Sequence, residues 1–115
     1  NEAYWCKGIE RWKVERMVKY SLCYGVYQHN QTQVGFARVL TDYTTYAYLA
    51  DVFILPASQR QGLGTWLIKT ILQHPELQGL RTWALKTNDA HALYAKYGFQ
   101  TIATVAKHME YKPTL

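Results

Sequence analysis

The sequence predicts a single domain, residues 1–115, with a mixed α/β fold. Its first half contains strand-forming runs joined by short polar turns, and such turns are too short for crossovers, so these strands should pair antiparallel. Its second half alternates strand and helix patterns. Residues 49–86 follow the order strand, glycine turn, helix, strand, which is a βαβ unit with parallel strands and a right-handed crossover. These two observations predict one mixed sheet flanked by helices.

The antiparallel half is predicted to begin with a helix over residues 9–20, where Val14, Met17 and Val18 recur at spacings of three and four. A run of four polar residues then separates two strand-like runs, which is typical of a hairpin. The next run is almost entirely apolar and aromatic, as expected for a central strand covered on both faces, and its one charge is Asp51. The three predicted strands cover residues 21–28, 33–40 and 44–55.

The second half is predicted to contain two helices. Leu67, Ile68 and Ile71 recur at helical spacing and predict a helix over residues 65–73. Asp89 is a candidate N-cap for a helix over residues 90–97, and Gly98 is expected to end that helix in the left-handed conformation. The strands predicted for this half cover residues 80–86, 100–106 and 107–111.

Composition limits the class of protein. With 115 residues, of which 49% are hydrophobic, the chain can bury a core without disulfides. It has two cysteines, no run near the about 20 apolar residues of a membrane span and no secretory signal, so we expect a cytoplasmic protein with no membrane partner. The net charge of +5 suits a polyanionic ligand, but basic residues interleaved with aromatics are lacking, so nucleic acid is not expected. The four histidines show no ligand spacing, and no metal is expected.

The turn after the long strand carries the strongest chemical pattern. Its two glycines leave backbone amides pointing outward at the positive end of the following helix dipole, an arrangement that binds pyrophosphate. The alternative is that the glycines only let the helix pack closely on the sheet. The turn lacks the lysine of a P-loop and the third glycine of a dinucleotide fingerprint. Its residues are Gln59, Arg60, Gln61, Gly62, Leu63 and Gly64.

Two motifs in this order carry a resemblance to a known family. The strand end Val52-Phe53-Ile54-Leu55-Pro56 precedes Gln59-x-x-Gly62-x-Gly64, and Ala92-Leu93-Tyr94-x-x-x-Gly98-Phe99 follows later in the chain. Residues 22–111 thereby resemble the acetyl-CoA-binding core of the GNAT superfamily of N-acetyltransferases. The resemblance implies a centrally splayed sheet and acetyl transfer from acetyl-CoA to a primary amine by direct attack in a ternary complex. Because the family normally begins with a further strand, we expect that strand to be absent from this chain.

The resemblance also implies roles for the matching positions. The long strand would carry a bulge, and its main chain would hold the pantetheine arm where it splays from the next strand. The Val52 amide would polarise the thioester carbonyl, residues 59–64 would hold the pyrophosphate, and the Tyr94 hydroxyl would protonate the leaving thiolate. Without the family context, Tyr94 would be read as a helix aromatic packed on the sheet. The implied acetyl-CoA contacts are Val52, Phe53, Ile54, Gln59, Arg60, Gln61, Gly62, Leu63, Gly64 and Tyr94.

The acceptor side is less defined by the sequence. Asp51 is a candidate catalytic or substrate-orienting carboxylate, with a water as the other candidate base; strand alternation would turn Asp51 away from the substrate unless the bulge changes its face. A structural role for Asp51 is equally compatible with the sequence. The acceptor would be a small-molecule or peptide amine, the protein could form a homodimer, and a non-catalytic acyl-CoA-binding module is the alternative function. Predicted acceptor contacts are Trp5, Arg38, Asp42 and Tyr46.

Overall fold

The computed structural model describes residues 10–113 and contains a four-stranded mixed sheet. The strands lie side by side in chain order: β1 (Leu22–Tyr27), β2 (Gln33–Thr41), β3 (Tyr46–Ile54) and β4 (Thr82–Leu85). β2 pairs antiparallel with both β1 and β3, whereas β3 and β4 are parallel. Within these residues there are also three α-helices: α1 (Arg11–Lys19), α2 (Leu63–Leu72) and α3 (His91–Ala95). The predicted mixed α/β fold is therefore confirmed.

One face of the sheet carries the core. Alternate residues of the two inner strands point to this face, and Ala37, Val39, Ala47 and Leu49 are 3% exposed or less. α2 packs against this face through its apolar stripe, which is the stripe predicted from the sequence. The core contributed by α2 consists of Leu67, Ile68 and Ile71.

The opposite face of the sheet is only partly covered. α1 has no buried residue, and the outward residues of β3 are half-buried rather than enclosed, so the expectation of a strand covered on both faces is met on one face only. Arg38 and Leu40 of β2 alternate with buried Val39 and therefore point toward α1. Within the described residues, no helix is long and apolar enough to cross a membrane.

The cap predicted for α3 is wrong, and the predicted stop is correct. The Thr87 hydroxyl, rather than Asp89, accepts a hydrogen bond from the Ala90 N–H at 3.0 Å, because the helix begins at His91 and the backbone turns back toward Thr87. Gly98 has φ of 96°. The Phe99 N–H then donates to the Tyr94 carbonyl at 3.3 Å, which closes the helix end in the manner expected of a left-handed glycine.

The two strands predicted after α3 are not formed. Val105–Lys107 forms a 3-10 turn, and residues 100–113 contain no strand. Ile102 and Val105 are 48% and 67% exposed. Strand-forming residues become a strand only where an edge pairs with them, and β4 is paired over its four residues with β3 alone. The terminal segment meets this part of the fold through the ion pair of Lys86 with Glu110.

Candidate functional site

A cleft opens where β3 and β4 diverge. Their parallel pairing ends at Leu49 and Leu85, but β3 continues to Ile54 and stays paired with β2 as far as Gly35. Among the described strands, β3 beyond Leu49 therefore pairs with β2 alone. Residues 50–52 border a cavity of about 470 Å³, which is also lined by the segment that joins β4 to α3.

A β-bulge lies in the strand that borders this cleft. Phe36 pairs with Phe53 and Arg38 pairs with Ala50, so Ala37 lies opposite two residues of β3. Those two residues are Asp51 and Val52, and Asp51 has φ of 56°, a left-handed conformation that aspartate tolerates better than most residues. The bulge anticipated from the family resemblance is thus present.

The bulge changes the face on which Asp51 lies. Leu49 is buried in the core, and Val52 packs against the same core, although strict alternation would have sent Asp51 there instead. The Asp51 carboxylate reaches the outer face and accepts a hydrogen bond from Arg38 Nε at 2.7 Å. Arg38 Nη1 also donates to the Ser21 hydroxyl at 3.2 Å.

This ion pair is partly removed from water. The Arg38 and Asp51 side chains are 13% and 26% exposed. The burial of an unpaired carboxylate, which made Asp51 conspicuous in the sequence, is avoided because Arg38 neutralises it. Arg38 was predicted to contact the acceptor, and it lines this cleft together with Asp51.

Tyr94 lies across the cleft from the bulge. Its side chain is 7% exposed and packs edge-on against Phe99 with ring centroids 5.8 Å apart. Burial raises the pKa of the Tyr94 hydroxyl above its ordinary value because the charged phenolate would lose hydration. The hydroxyl therefore remains protonated at neutral pH and can donate a proton to a group in the cleft.

The glycine turn forms the start of α2. Arg60 and Gly62 have φ of 67° and 79°, and Gly62 precedes the first helical residue. The first helical hydrogen bond runs from the Trp66 N–H to the Gly62 carbonyl at 3.0 Å. The N–H groups of residues 63–65 therefore have no acceptor inside the helix and point outward from its N-terminal end. Such a turn can bind an anion.

Close packing does not explain the second glycine of this turn. In the described structure, a Cβ added at Gly62 or Gly64 would meet nothing within 4 Å. Gly62 is accounted for by its left-handed backbone, but Gly64 has neither a positive φ nor a neighbour that excludes a side chain. The space above Gly64 is thus free for a ligand to approach the backbone.

A second cavity lies on the outer face, between α1 and β2. This groove has a volume of about 700 Å³. Its apolar surface comes from Trp12, Met17, Tyr20 and Leu40, and Arg38 lines it as well as the cleft. Of the residues that line this groove, only Arg38 was predicted from the sequence as an acceptor contact. The available signal was the mixture of apolar and charged residues that leaves α1 without a buried face.

The remaining acceptor residues are not brought to either cavity. Asp42 accepts hydrogen bonds from the backbone N–H groups of residues 44–46 and from the Thr45 hydroxyl, which holds the pKa of its carboxyl well below the usual range. Asp42 thus shapes its own turn, and Tyr46, the first residue of β3, is 45% exposed. Trp5 lies outside the described residues.

Within residues 10–113, no group of three or more histidine, cysteine, aspartate or glutamate side chains could hold a metal ion. The chemical groups gathered in the cleft are instead a main-chain edge, a buried tyrosine and an arginine–carboxylate pair.

Comparisons with known proteins agree with this architecture. The family model described as an acetyltransferase (GNAT) domain matches residues 20–101. A crystal structure of an inferred GNAT-family acetyltransferase from Xanthomonas campestris pv. campestris superposes with a TM-score of 0.88 at 43% identity, over 96% of this chain and 78% of that chain.

Two further relatives are more distant. A predicted acetyltransferase from Clostridium acetobutylicum, solved with acetyl-CoA, gives a TM-score of 0.66 at 16% identity, over 89% of this chain and 71% of that chain; at this identity the likeness concerns the fold. A protein of Gibberella zeae named as an inferred acetyltransferase is 32% identical over 68 residues. That match covers 44% of this chain and 38% of the relative, so the chain corresponds to well under two thirds of that protein.

Proposed function

Since the chain belongs to the GNAT acetyltransferase family, we propose that it is an N-acetyltransferase that moves the acetyl group of acetyl-CoA to a primary amine by direct attack. The observation that carries this proposal is that β3 extends beyond its last pair with β4 and borders, through residues 50–52, a cleft that Tyr94 also lines. This stretch of β3 can bind an extended, amide-containing arm, and the tyrosine can donate a proton at the same place.

The residues present fit acetyl-CoA. The pantetheine arm contains amides, and Val52, Phe53 and Ile54 lie in the stretch of β3 beyond its last pair with β4; an arm laid along this stretch would bind as an added strand. The turn at residues 59–64 presents outward N–H groups to a pyrophosphate. The open space above Gly64 allows the phosphates to approach the backbone.

Each protein group has a task in the transfer. Acetyl-CoA supplies the acetyl group as a thioester. The Val52 N–H donates to the carbonyl oxygen on which negative charge develops. The acceptor, an ammonium ion at neutral pH, first gives one proton to Asp51 or to a water and so becomes the neutral amine. Its nitrogen then forms the new C–N bond as the C–S bond breaks, and a second proton leaves the nitrogen to solvent through the same group. Tyr94 gives its hydroxyl proton to the departing sulfur and is reprotonated from solvent, so the products are an amide and a free thiol.

Asp51 has the position that this task requires. It directly precedes Val52 on the bulge and lines the same cleft. Its carboxylate retains acceptor capacity beyond its bond to Arg38 Nε, because an ionised carboxylate accepts up to about four hydrogen bonds. An amine held by Asp51 would therefore lie next to the residue that polarises the thioester carbonyl.

Replacement of Tyr94 by phenylalanine tests the proposal. Thiol release from acetyl-CoA is measured with a panel of primary amines, and calorimetry gives the affinity for acetyl-CoA. We expect Tyr94→Phe to lower kcat on the best amine by roughly 10²-fold or more, the usual contribution of general acid–base catalysis, with acetyl-CoA affinity nearly unchanged.

Tyr97→Phe is the matched control. Tyr97 follows α3 and its hydroxyl donates to the Thr65 carbonyl at 3.1 Å, so this change also removes one hydroxyl but leaves the cleft intact. Unchanged turnover in Tyr94→Phe would remove Tyr94 from the mechanism. Tight binding of acetyl-CoA without acetylation of any amine would instead identify a non-catalytic acyl-CoA-binding module.

A further inference from the structure

We propose that the acceptor is a free α-amino acid with a large apolar or aromatic side chain. This inference rests on the proposed function, because it names the substrate class of the same site. Three features carry it: the Arg38–Asp51 pair, the unused donors of Arg38, and the apolar groove that begins at Arg38.

The ion pair matches a zwitterion. An ammonium group on Asp51 would place one negative charge between two positive charges, because Arg38 already neutralises Asp51. The site would then carry a net positive charge although the Arg38 side chain is only 13% exposed, which is unfavourable in a poorly hydrated place. A carboxylate next to the amine restores neutrality. An α-amino acid has this pair of charges on adjacent groups.

Arg38 retains the donors that such a carboxylate needs. A guanidinium has five N–H donors. Among the described residues, Arg38 donates from Nε to Asp51 and from Nη1 to Ser21, which leaves three of the five donors for a ligand. Guanidinium donors bind carboxylates with short, charge-assisted hydrogen bonds. Arg38 also lines both cavities, so a group bound to Arg38 would lie beside each of them.

The groove favours an acceptor with a large apolar side chain. Trp12 and Tyr20 on the α1 side are 54% and 70% exposed, and Leu40 on β2 is 39% exposed. These apolar surfaces border one cavity of about 700 Å³, within the usual range for small-molecule sites. A side chain that extends from the carbon between amine and carboxylate would enter the groove at Arg38 and cover these surfaces. Glycine or serine would leave them in water.

The closing experiment varies one group of the acceptor at a time. L-phenylalanine is compared with phenethylamine, which lacks the carboxylate, with phenylalanine amide, in which it is uncharged, and with glycine, which lacks the side chain. Thiol release gives kcat/KM for each amine. We expect L-phenylalanine to exceed each of the other three by about ten-fold or more, since each lacks one strong interaction. Equal or faster acetylation of phenethylamine would overturn the proposal while the N-acetyltransferase function stands.

Two variants test recognition of the acceptor carboxylate and recognition of the acceptor side chain separately. Arg38→Lys keeps the charge but loses the planar donors, and we expect it to raise KM for L-phenylalanine about ten-fold more than it raises KM for phenethylamine, because only L-phenylalanine has a carboxylate for these donors. Tyr20→Ala should weaken use of L-phenylalanine but not of glycine. Its matched control is Tyr27→Ala, because Tyr27 is 60% exposed and lines neither cavity. Parallel losses on every amine in Arg38→Lys, together with a silent Tyr20→Ala, would count against the proposal.

A binding measurement distinguishes failure of this inference from failure of the proposed function. Calorimetry records the binding of L-phenylalanine to the protein saturated with coenzyme A, where no transfer can occur. Binding of L-phenylalanine but not of phenethylamine, without any thiol release from acetyl-CoA, would refute acetyl transfer and keep the ligand class. Acetylation of many amines without preference for the carboxylate would refute the ligand class alone.

Discussion

Substitutions at Gly64 should affect folding stability and acetyl-CoA affinity in opposite directions. A side chain there is expected to stabilise the helix and to hinder the cofactor. It is the second residue of α2, and a Cβ there would meet nothing within 4 Å. Because glycine in a helix costs roughly 0.5–1 kcal/mol relative to alanine, Gly64→Ala should stabilise the protein by about that amount and raise Tm by roughly 2–6 °C in a domain of this size. Binding of acetyl-CoA should not improve in parallel.

The side chain at position 64 can be enlarged in steps. Leucine is also a good helix former and would extend into the same open space, so Gly64→Leu should fold as stably as the native protein. If the pyrophosphate approaches the backbone at Gly64, affinity for acetyl-CoA should fall as the side chain grows, least for alanine and by about ten-fold or more for leucine. Thermal unfolding and titration calorimetry measure the two effects separately.

Gly62 is the matched contrast in the same turn. Its φ of 79° is left-handed, so Gly62→Ala should destabilise the protein by roughly 1–2 kcal/mol although its Cβ also meets no neighbour. A stable Gly64→Leu variant that binds acetyl-CoA as tightly as the native protein would refute the placement of the pyrophosphate. Loss of stability in Gly64→Ala would refute the argument from open space.

Three other predictions concern stability. Ile68→Ala should cost about 2–5 kcal/mol in denaturant unfolding, because Ile68 is 0% exposed in the core, and no measurable cost would contradict that placement. Gly98→Ala should cost roughly 1–2 kcal/mol, since φ is 96° there; equal stability would show that the α3 end adapts. The carboxyl of Asp42 has a lowered pKa, so its contribution to folding stability is present above the ordinary aspartate pKa of about 3.9 and is lost as pH falls further. Asp42→Asn should therefore be less stable than the native protein at pH 7, and the difference in unfolding free energy should narrow in acid. A difference that does not depend on pH would exclude the Asp42 charge as its cause.

Local periodicity predicted the elements that are stabilised by their own sequence. The α2 stripe is an example, because Leu67, Ile68 and Ile71 lie on one side of any helix drawn through them, and the side they share is the buried one. The segment after α3 shows the limit of this reasoning. It contains strand formers such as Ile102 and Val105, but a strand also requires a partner edge, and the edge is set by tertiary structure rather than by the segment itself. The 3-10 turn at Val105–Lys107 could not be predicted from these residue types.

The candidate site likewise contains features that the sequence predicts and features that it does not. The glycine turn could be predicted because its backbone conformation depends on consecutive residues, chiefly Gly62. The groove beside α1 could not, because an apolar stripe on a helix predicts burial, and α1 nevertheless has no buried residue. Contact between Arg38 and Asp51 also escaped prediction, because the two residues are thirteen positions apart and meet only through the pairing of β2 with β3.

The bulge in β3 links the two halves of the proposed chemistry. One inserted residue lets the carboxylate of Asp51 meet Arg38 on the outer face, while Val52 returns to the core face and keeps the strand anchored. The same stretch lies beyond the last pair with β4, so its main-chain groups face the cleft. In the proposed mechanism, the carboxylate for the amine and the N–H for the thioester carbonyl would therefore come from adjacent residues. Their separation would be fixed by the backbone rather than by the packing of a flexible loop, and direct attack would require such rigid placement of the reacting groups.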